Sequence, residues 1–173
     1  MIEIEADGTR RHLQDGVLHR EDGPAIEAPD GSKEWYLFGK RHREDGPAIE
    51  DADGTQEWFF EGELHREGGP AIIDPDGDKE WYQHGLRHRE NGPAIEYADG
   101  AKFWLRRGLL HREDGPAVEK PDGTREFWLN DQELPFNQWI DALGLPGAEK
   151  WALYKKLTGL EPPPSDALPS DLT

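Results

Sequence analysis

The sequence has no cysteine, and its single methionine is residue 1. Without cysteine there is no disulfide, no thiolate metal ligand and no cysteine nucleophile in these 173 residues. Long apolar runs are also missing, since no stretch approaches the roughly 20 residues that a membrane-spanning helix needs. The first residues, MIEIEADGTRRH, do not place a basic segment before an apolar one, so we expect no secretory signal. These absences predict a protein of the cytoplasm, of either the producing or the infected cell.

Positive charge is scarce. Lys and Arg number 20 against 37 Asp and Glu, which gives a formal net charge of −17 at pH 7. Nucleic acid and anionic membrane are repelled by such a field, so we expect no direct binding to either. The charge favours a basic protein surface as the partner. The alternative explanation is solubility, because a strong net charge keeps an exposed fold from associating.

Most of the chain is built from a repeat of 23 residues. The dipeptide Asp-Gly recurs six times at this spacing, from Asp7-Gly8 to Asp122-Gly123, without an insertion. A constant period of this kind indicates an array of similar supersecondary units. The residues expected to maintain the array are Gly31, Gly54, Gly77 and Gly100, the tryptophans Trp35, Trp58, Trp81 and Trp104, and the histidines His42, His65 and His88.

Each unit has the pattern of a β-hairpin. The run from Ala25 to Ala28 is β-prone, and the run from Lys33 to Phe38 is a return strand rich in aromatic residues. Asp30-Gly31 between them is a favoured two-residue turn. That turn predicts Glu27 opposite Glu34 and Ile26 opposite Trp35, with like charges facing each other across the hairpin.

The period predicts a mainly β fold, an elongated single-layer antiparallel sheet of six hairpin repeats capped by one or two C-terminal helices. Asn137 is a candidate N-cap for a first helix, and Pro146 and Gly159 bracket a second. The expected parts are a degenerate N-terminal capping repeat at 1–22, hairpin repeats at 23–133, a helical cap at 134–160 and a disordered tail at 161–173.

The order of these columns resembles the MORN repeat, a 23-residue unit with the pattern Y-x-D-G-x-x-Y-x-G-x-W-x-x-G-x-x-H-G-x-G. The Asp-Gly turn, the aromatic residues, the later glycine and a His before a Gly occur in the same order over residues 1 to about 132. Where many MORN units have HGxG, this chain has HREDGPA. The HREDGPA motif resembles a variant of the repeat in uncharacterised phage, bacterial and large-virus proteins. The broader variant family includes proteins described as antitoxins. The resemblance implies an extended hairpin scaffold for protein contacts, with membrane roles proposed for some members.

The repeated His-Arg-Glu segments suggest chemistry, but their spacing argues against it. Successive histidines would lie about 10 Å apart in the sheet, whereas zinc ligands lie about 2 Å from the metal. No phosphate-binding loop, nucleophile elbow or HExxH motif is present. An active site is normally singular, and these residues are copied in every unit. The sequence therefore predicts no enzyme, no catalytic residue, no metal and no cofactor, and HREDG is expected to be the crossover between hairpins.

Function is expected where the copies differ, and the third unit differs in charge. Residues 46–68 carry seven acidic residues and one arginine, a net charge of −6, whereas residues 92–114 are neutral. Aromatic residues among carboxylates suit binding to a basic surface. The residues predicted to bind a partner are Glu50, Asp51, Glu57, Phe59, Glu61 and Glu63 of this unit, with Glu27, Glu34 and Tyr36 of the preceding one.

Charge and resemblance together predict a non-enzymatic, phage- or bacterium-encoded inhibitor or immunity-type protein. Such a protein would block a basic, nucleic-acid-binding surface of its target, for example a nuclease or a defence complex, as a nucleic-acid mimic. One alternative is a structural or assembly scaffold, of a virion or an oligomer, in which charge serves solubility. A membrane-associated scaffold is a third hypothesis. The oligomeric state and the face that binds stay open at this point.

Overall fold

One antiparallel sheet of 14 strands runs along the molecule, and we call it the main sheet. The computed structural model describes residues 1–161, so the disordered tail predicted at 161–173 lies outside the described residues apart from Glu161. The fold class predicted from the period is confirmed. The strands of the main sheet, in order along the chain, are β1 (Ile2–Ile4), β2 (Arg10–Gln14) with β3 (Val17–Leu18) paired to its end, β4 (Ile26–Glu27), β5 (Lys33–Glu34), β8 (Ile49–Glu50), β9 (Gln56–Glu57), β12 (Ile72–Ile73), β13 (Lys79–Glu80), β16 (Ile95–Glu96), β17 (Lys102–Phe103), β20 (Val118–Glu119), β21 (Arg125–Leu129) and β22 (Gln132–Leu134).

Each of four central units also forms a second, smaller hairpin, which we call a side hairpin. At Trp35 the backbone passes from the main sheet into the side hairpin, and its amide and its carbonyl bond to two different segments of the chain. The Trp35 amide donates to the Ala48 carbonyl of the next unit (2.8 Å), and the Trp35 carbonyl accepts from the His42 amide of its own unit (3.1 Å). The side hairpins are β6 (Tyr36–Leu37) with β7 (Lys40–Arg41), β10 (Phe59–Phe60) with β11 (Glu63–Leu64), β14 (Tyr82–Gln83) with β15 (Leu86–Arg87), and β18 (Leu105–Arg106) with β19 (Leu109–Leu110).

The two-residue turn lies in the side hairpins, so its predicted position at Asp30-Gly31 is wrong. Phe38 and Gly39 both have positive φ, 49° and 78°, as a type I′ turn requires. At Asp30-Gly31 only the glycine has positive φ (99°), and its amide donates to the Ala28 carbonyl. This is a three-residue loop, in which a type I turn leads into a glycine bulge.

The additional loop residue shifts the predicted register by one position. Glu27 pairs with Lys33, and Ile26 pairs with Glu34. The like charges predicted to face each other are therefore separated, and opposite charges face each other instead. A two-residue turn would likewise pair Glu50 with Glu57 and Glu119 with Glu126, but the observed partners are Glu50–Gln56 and Glu119–Arg125.

The main sheet has two chemically different faces, because neighbouring side chains alternate. The isoleucine face carries Ile26 and Glu34 and the equivalent residues of each unit. The lysine face carries Glu27 and Lys33 and their equivalents. Pairing continues across units on the lysine face, where Lys33 also lies opposite Glu50. The faces predicted from the two-residue turn are therefore wrong, since Glu27 and Glu34 lie on opposite sides of the sheet.

The core is a series of small clusters shared by adjacent units. One cluster contains Ala48, Ile49 and Phe59, with Trp35 and Leu64 packed against it. The equivalent cluster two units later is built around Ala94, Ile95 and Leu105. Such nearest-neighbour packing is typical of quasi-one-dimensional repeat proteins. The alanines of the GPA segments are fully buried, namely Ala25, Ala48, Ala71, Ala94 and Ala117.

Two helices, α1 (Phe136–Ala142) and α2 (Gly147–Thr158), lie where the sequence predicts a helical cap. Trp139 of α1 is fully buried, its ring lies 4.8 Å from that of Phe127, and its indole donates to the Arg112 carbonyl. The predicted N-cap at Asn137 is wrong. Helix α1 starts after Pro135, which provides no side-chain cap, because a proline at this point already ends the preceding extended segment.

Candidate interaction surface

In units two to five, the arginine of the repeated His-Arg-Glu segment lies over the tryptophan ring of its own unit. Arg43 is typical, with its guanidinium carbon 4.0 Å from the centre of the Trp35 ring. The same guanidinium donates to the Pro47 carbonyl at 3.1 Å, which fixes the crossover against the sheet. Arg66, Arg89 and Arg112 lie 3.8–3.9 Å from Trp58, Trp81 and Trp104 in the same way. The Arg and Trp columns of the repeat are thus one structural device.

Two carboxylates normally complete the surroundings of this arginine. Arg43 Nε donates to Asp45, two residues later, at 2.9 Å, and Arg43 Nη1 donates to Glu50, seven residues later, at 2.8 Å. The hydrogen bond from Arg43 lowers the pKa of Asp45. Arg20 and Arg112 bond their own Asp and Glu in this way. The glutamate that follows each arginine in sequence is not one of these partners, and Glu44 is 83% exposed.

The arginine of the third unit departs from this pattern. Two and seven residues after Arg66 stand Gly68 and Ile73 in place of the two acids. Within residues 1–161, Arg66 keeps the Trp58 ring and the Pro70 carbonyl (2.9 Å) and has no carboxylate partner. Burial lowers the pKa of the Arg66 guanidinium, whereas the hydrogen bond to Asp22 raises the pKa of Arg20. Arg66 is therefore a partly desolvated cation without the compensation that its counterparts have.

The histidine column holds successive side hairpins together. His19 Nδ1 accepts the Phe38 amide at 3.1 Å, and the two rings lie 4.3 Å apart. The same acceptor role recurs in every later unit, with His42, His65, His88 and His111 each bound to the amide 19 residues on. His19 and His42 also pack on aromatic rings of the next side hairpin, Phe38 and Phe60. Their hydrogen bonds reach the turn of the next side hairpin, where the positive φ of residues such as Phe38 directs the amide outward.

A second side-chain network alternates from unit to unit. In the second unit, Glu34 accepts the Tyr36 hydroxyl (2.9 Å) and Arg41 Nε (3.1 Å). The fourth unit repeats this triad with Glu80, Tyr82 and Arg87. In the third unit Phe59 and Leu64 replace the tyrosine and the arginine, so Glu57 loses both donors. In the fifth unit all three positions are apolar, with Phe103, Leu105 and Leu110.

Five carboxylates therefore form a row across the isoleucine face of units two to four, and we call this set the acidic row. Burial raises the pKa of Glu57, and repulsion from Asp51, Asp74 and Glu34 raises it further, against a lowering effect of Arg41. Burial and neighbouring carboxylates likewise raise the pKa values of Asp51 and Asp74. The acidic row is electrostatically unsatisfied at its centre. Its members are Glu34, Asp51, Glu57, Asp74 and Glu80.

The structure brings together only part of the predicted partner-binding set. Glu34, Asp51 and Glu57 belong to the acidic row. Glu27 and Glu50 lie on the lysine face, where Arg20 and Arg43 already bind them. Glu61 and Glu63 are exposed at a side hairpin away from the main sheet, and Tyr36 is bound to Glu34.

Phe59 must be removed from the predicted set. Its side chain is 8% exposed and belongs to the core cluster of Ala48 and Ile49. The phenyl ring is buried because it packs on Ala48, Ile49 and Leu64 of its own unit and on Trp35 of the preceding unit. Phe60, which follows it, is 41% exposed and packs between His42 and His65.

Asp74, Glu80 and Arg66 were not among the predicted site residues. The sequence contains a signal for Glu80, and the signal for Arg66 is the replacement of its two acids by Gly68 and Ile73. The residue before each His alternates between Leu and Arg, and Arg41 and Arg87 occur in the units that have Tyr36 and Tyr82. This co-variation identifies the triads and, by their interruption, the unpaired Glu57.

Other kinds of site find no support in the described chain. No group of three or more His, Asp and Glu side chains within residues 1–161 is arranged to hold a metal ion. Over the same residues, neither helix has the length and apolar character needed to cross a bilayer.

No protein-family model matches this sequence, and no curated protein matches it significantly.

Proposed function

We propose that this chain is a non-enzymatic repeat protein that binds a basic protein surface through the acidic row. The observation that carries this function is Glu57, a partly buried carboxylate that has lost both donors present in the neighbouring units. A cationic side chain from a partner would replace those donors and relieve the repulsion from Asp51 and Asp74. The net charge of −17 would speed the encounter with a basic partner.

The last unit shows that this charge is not a requirement of the fold. Lys120 occupies the position of Asp51 and Asp74, and it donates to Glu126 at 2.8 Å. Its hydrogen bond lowers the pKa of Glu126. The same backbone site thus accepts a lysine that satisfies the glutamate, and the middle units have acids there instead. The middle units have an acid where a lysine fits, and this supports a role of the acids in binding.

The most concrete form of this function is an inhibitor or immunity-type protein of a phage or bacterium. A target that binds nucleic acid has a basic surface, and a row of carboxylates along one sheet face can take the place of phosphates. The MORN-like order of the repeat columns, with the HREDGPA variant, supports this form.

The experiment compares three immobilised proteins in parallel. These are the wild type, the variant Asp51→Lys/Asp74→Lys, and the control Glu44→Lys/Glu67→Lys, which makes the same charge change on the exposed crossovers. Lysate of a candidate host is passed over each, and bound proteins are eluted with a salt gradient and identified by mass spectrometry. A single basic protein retained by the wild type and the control, and lost from the acidic-row variant, is expected.

The retained protein is then titrated by calorimetry against all three. We expect 1:1 binding that weakens with salt and is at least tenfold weaker for Asp51→Lys/Asp74→Lys. Equal binding by all three proteins would show that the acidic row is not the interface. Circular dichroism of the variants checks that the fold is retained, as Lys120 leads us to expect.

A scaffold is the second candidate function, and strand β1 favours it. Within residues 1–161, β1 pairs only with β2, so its other edge is open, and Ile2 and Ile4 on it are 60% and 69% exposed. An open apolar edge invites pairing with another chain. Light scattering of the wild type and of Ile4→Lys distinguishes the two functions. Assemblies that the lysine dissociates would favour the scaffold, and a monomer would favour the binding protein.

A further inference from the structure

We infer that Arg66 forms a binding site for a carboxylate that comes from outside the repeat array. The site lies in a groove between the second and third crossovers, with the Trp58 ring as its base. This inference is independent of the acidic row, and its test requires no protein partner.

The other units of the chain show how a carboxylate binds at this position. In three of them the equivalent Nε donates to an Asp at 2.7–2.9 Å, and in four the equivalent Nη1 donates to a Glu at 2.7–3.1 Å. The guanidinium of Arg66 has the same stacking and the same bond to a proline carbonyl. Only the two acids are missing, so the donors of Arg66 are already oriented for a ligand.

The place of the missing acids is open to solvent. The Asp that bonds Nε in the other units is 68–87% exposed, so that side of the guanidinium is at the surface. A Cβ built on Gly68 would meet nothing within 4 Å. A ligand can therefore approach Nε without moving the backbone.

The walls of the groove select the class of ligand. Glu44 and Glu67 line it and oppose a dianion such as phosphate more strongly than a monoanion. Phe60 and His65 line it as well, and offer ring surface to an apolar body. The ligand class that fits is a monoanionic carboxylate on an aromatic or apolar group, of which benzoate is the simplest probe.

The test follows the arginine Nε–Hε resonances of ¹⁵N-labelled protein by NMR during titration with benzoate, acetate and inorganic phosphate. We expect a saturating shift at Arg66 with benzoate, at least threefold tighter than with acetate. Arg43 and Arg112 should not shift, because Asp45 and Asp114 occupy their Nε groups. Arg89 has Asn91 in place of the Asp but keeps Glu96, so it should respond more weakly than Arg66.

Two variants separate a specific site from a general effect of charge. Ile73→Glu restores the acid that four other units have, and it should fold as they do while weakening benzoate binding at Arg66 at least tenfold. Arg66→Lys keeps the charge and loses the planar donor pair, so it should abolish the saturable response, which is followed in this variant and in the wild type at the Trp58 indole N–H resonance.

Equal shifts at Arg66 and Arg43, or a benzoate response that survives Ile73→Glu, would overturn the site. Phosphate binding as tight as benzoate would overturn its assignment to carboxylates. Thermal unfolding of Ile73→Glu without ligand gives a check on the fold, since the new pair should not lower the midpoint.

Discussion

In units two to four, the glutamate on the isoleucine face accepts hydrogen bonds only where a tyrosine hydroxyl and an arginine guanidinium lie beside it. Glu34 and Glu80 receive both donors, whereas Glu57 receives neither because Phe59 and Leu64 stand in their place. The backbone positions are equivalent in all three units. The units therefore differ in side chains and not in backbone, so substitutions can give Glu57 the two donors that it lacks.

The double substitution Phe59→Tyr/Leu64→Arg should transfer the triad to Glu57. Two hydrogen bonds to a partly buried carboxylate should raise the free energy of unfolding by about 1–2 kcal/mol. Urea denaturation of the double variant and of each single variant measures the gain and its coupling. The control Leu110→Arg adds the same guanidinium where Phe103 provides no carboxylate, and it should not stabilise. A graft no better than this control would contradict the role assigned to the triad.

The pH dependence of stability should change when Glu57 is neutralised. Its pKa is raised in the folded protein, so the folded state holds the proton more tightly than the unfolded chain. Ionised Glu57 thus costs stability above its folded pKa, and this cost disappears below the ordinary value of about 4.3. Glu57→Gln should raise the free energy of unfolding at pH 7.5 by up to about 1 kcal/mol, a small value because solvent screens the charge. It should have little effect at pH 4.

Urea unfolding of Glu57→Gln at both pH values measures this difference. The exposed Glu44→Gln serves as a matched control and should show a smaller change at either pH. Stabilisation by Glu57→Gln that is equal at both pH values would show that ionisation is not its cause.

At the scale of the element, two kinds of turn share the same glycine signal. Asp-Gly closes the main hairpins through a type I turn, and residues such as Phe38 and Glu61 precede glycine in the type I′ turns of the side hairpins. Positive φ is unfavourable for these side chains, but it aims their amides at the histidine of the preceding unit. The array thus gains a link between hairpins at the expense of local backbone strain.

Replacing Glu61 by asparagine should reduce that strain, because asparagine tolerates left-handed backbone and Asn-Gly favours the type I′ turn. Glu61→Asn is expected to raise the free energy of unfolding by about 0.5–1 kcal/mol. Asp53→Asn removes the same charge at a residue with ordinary φ and should give no such gain. Thermal unfolding of the two variants provides the comparison, and equal midpoints would show that the turn is not strained.

The period and the order of the hairpins could be predicted from the sequence, because both depend on a local signal repeated in phase. The second helix could be predicted because Pro146 and Gly159 mark its ends. The register could not, because Asp-Gly fits both a two-residue and a three-residue loop. Pro29 before Asp30 was the available clue, since proline favours the second position of a type I turn. For the site, the net charge of each unit points to the third unit. The sequence places Phe59 on the binding face, which is wrong because a shift of one position in register exchanges the two faces of a strand.

At the scale of the whole molecule, contacts join neighbours along the array, and the helical cap closes one end. Trp139 joins the two by its packing on Phe127 and its bond to the Arg112 carbonyl. Stability in such an array is a sum over units and their interfaces. Loss of packing at the cap should therefore destabilise the adjacent last units most and the more distant units less.

Trp139→Ala should cost about 3–5 kcal/mol in the last units, as expected for loss of a fully buried aromatic side chain. Hydrogen exchange followed by mass spectrometry should show lost protection first in β20, β21 and β22, with β4 and β5 retained. Trp151→Ala, on the partly exposed helix α2, should have a smaller effect confined to the cap. Uniform loss of protection along the chain would instead show a single cooperative unit.

Among units two to five, the triad occurs in every second unit, so an array of this kind keeps the same neighbours at every interface only if it grows by two units at a time. Adding one 23-residue copy would place two units with the tyrosine–arginine pair, or two units without it, side by side. A copy of two units, taken together, would leave every neighbour as it was. Related chains of different length should therefore differ by 46 residues more often than by 23, and their gene segments should duplicate in pairs.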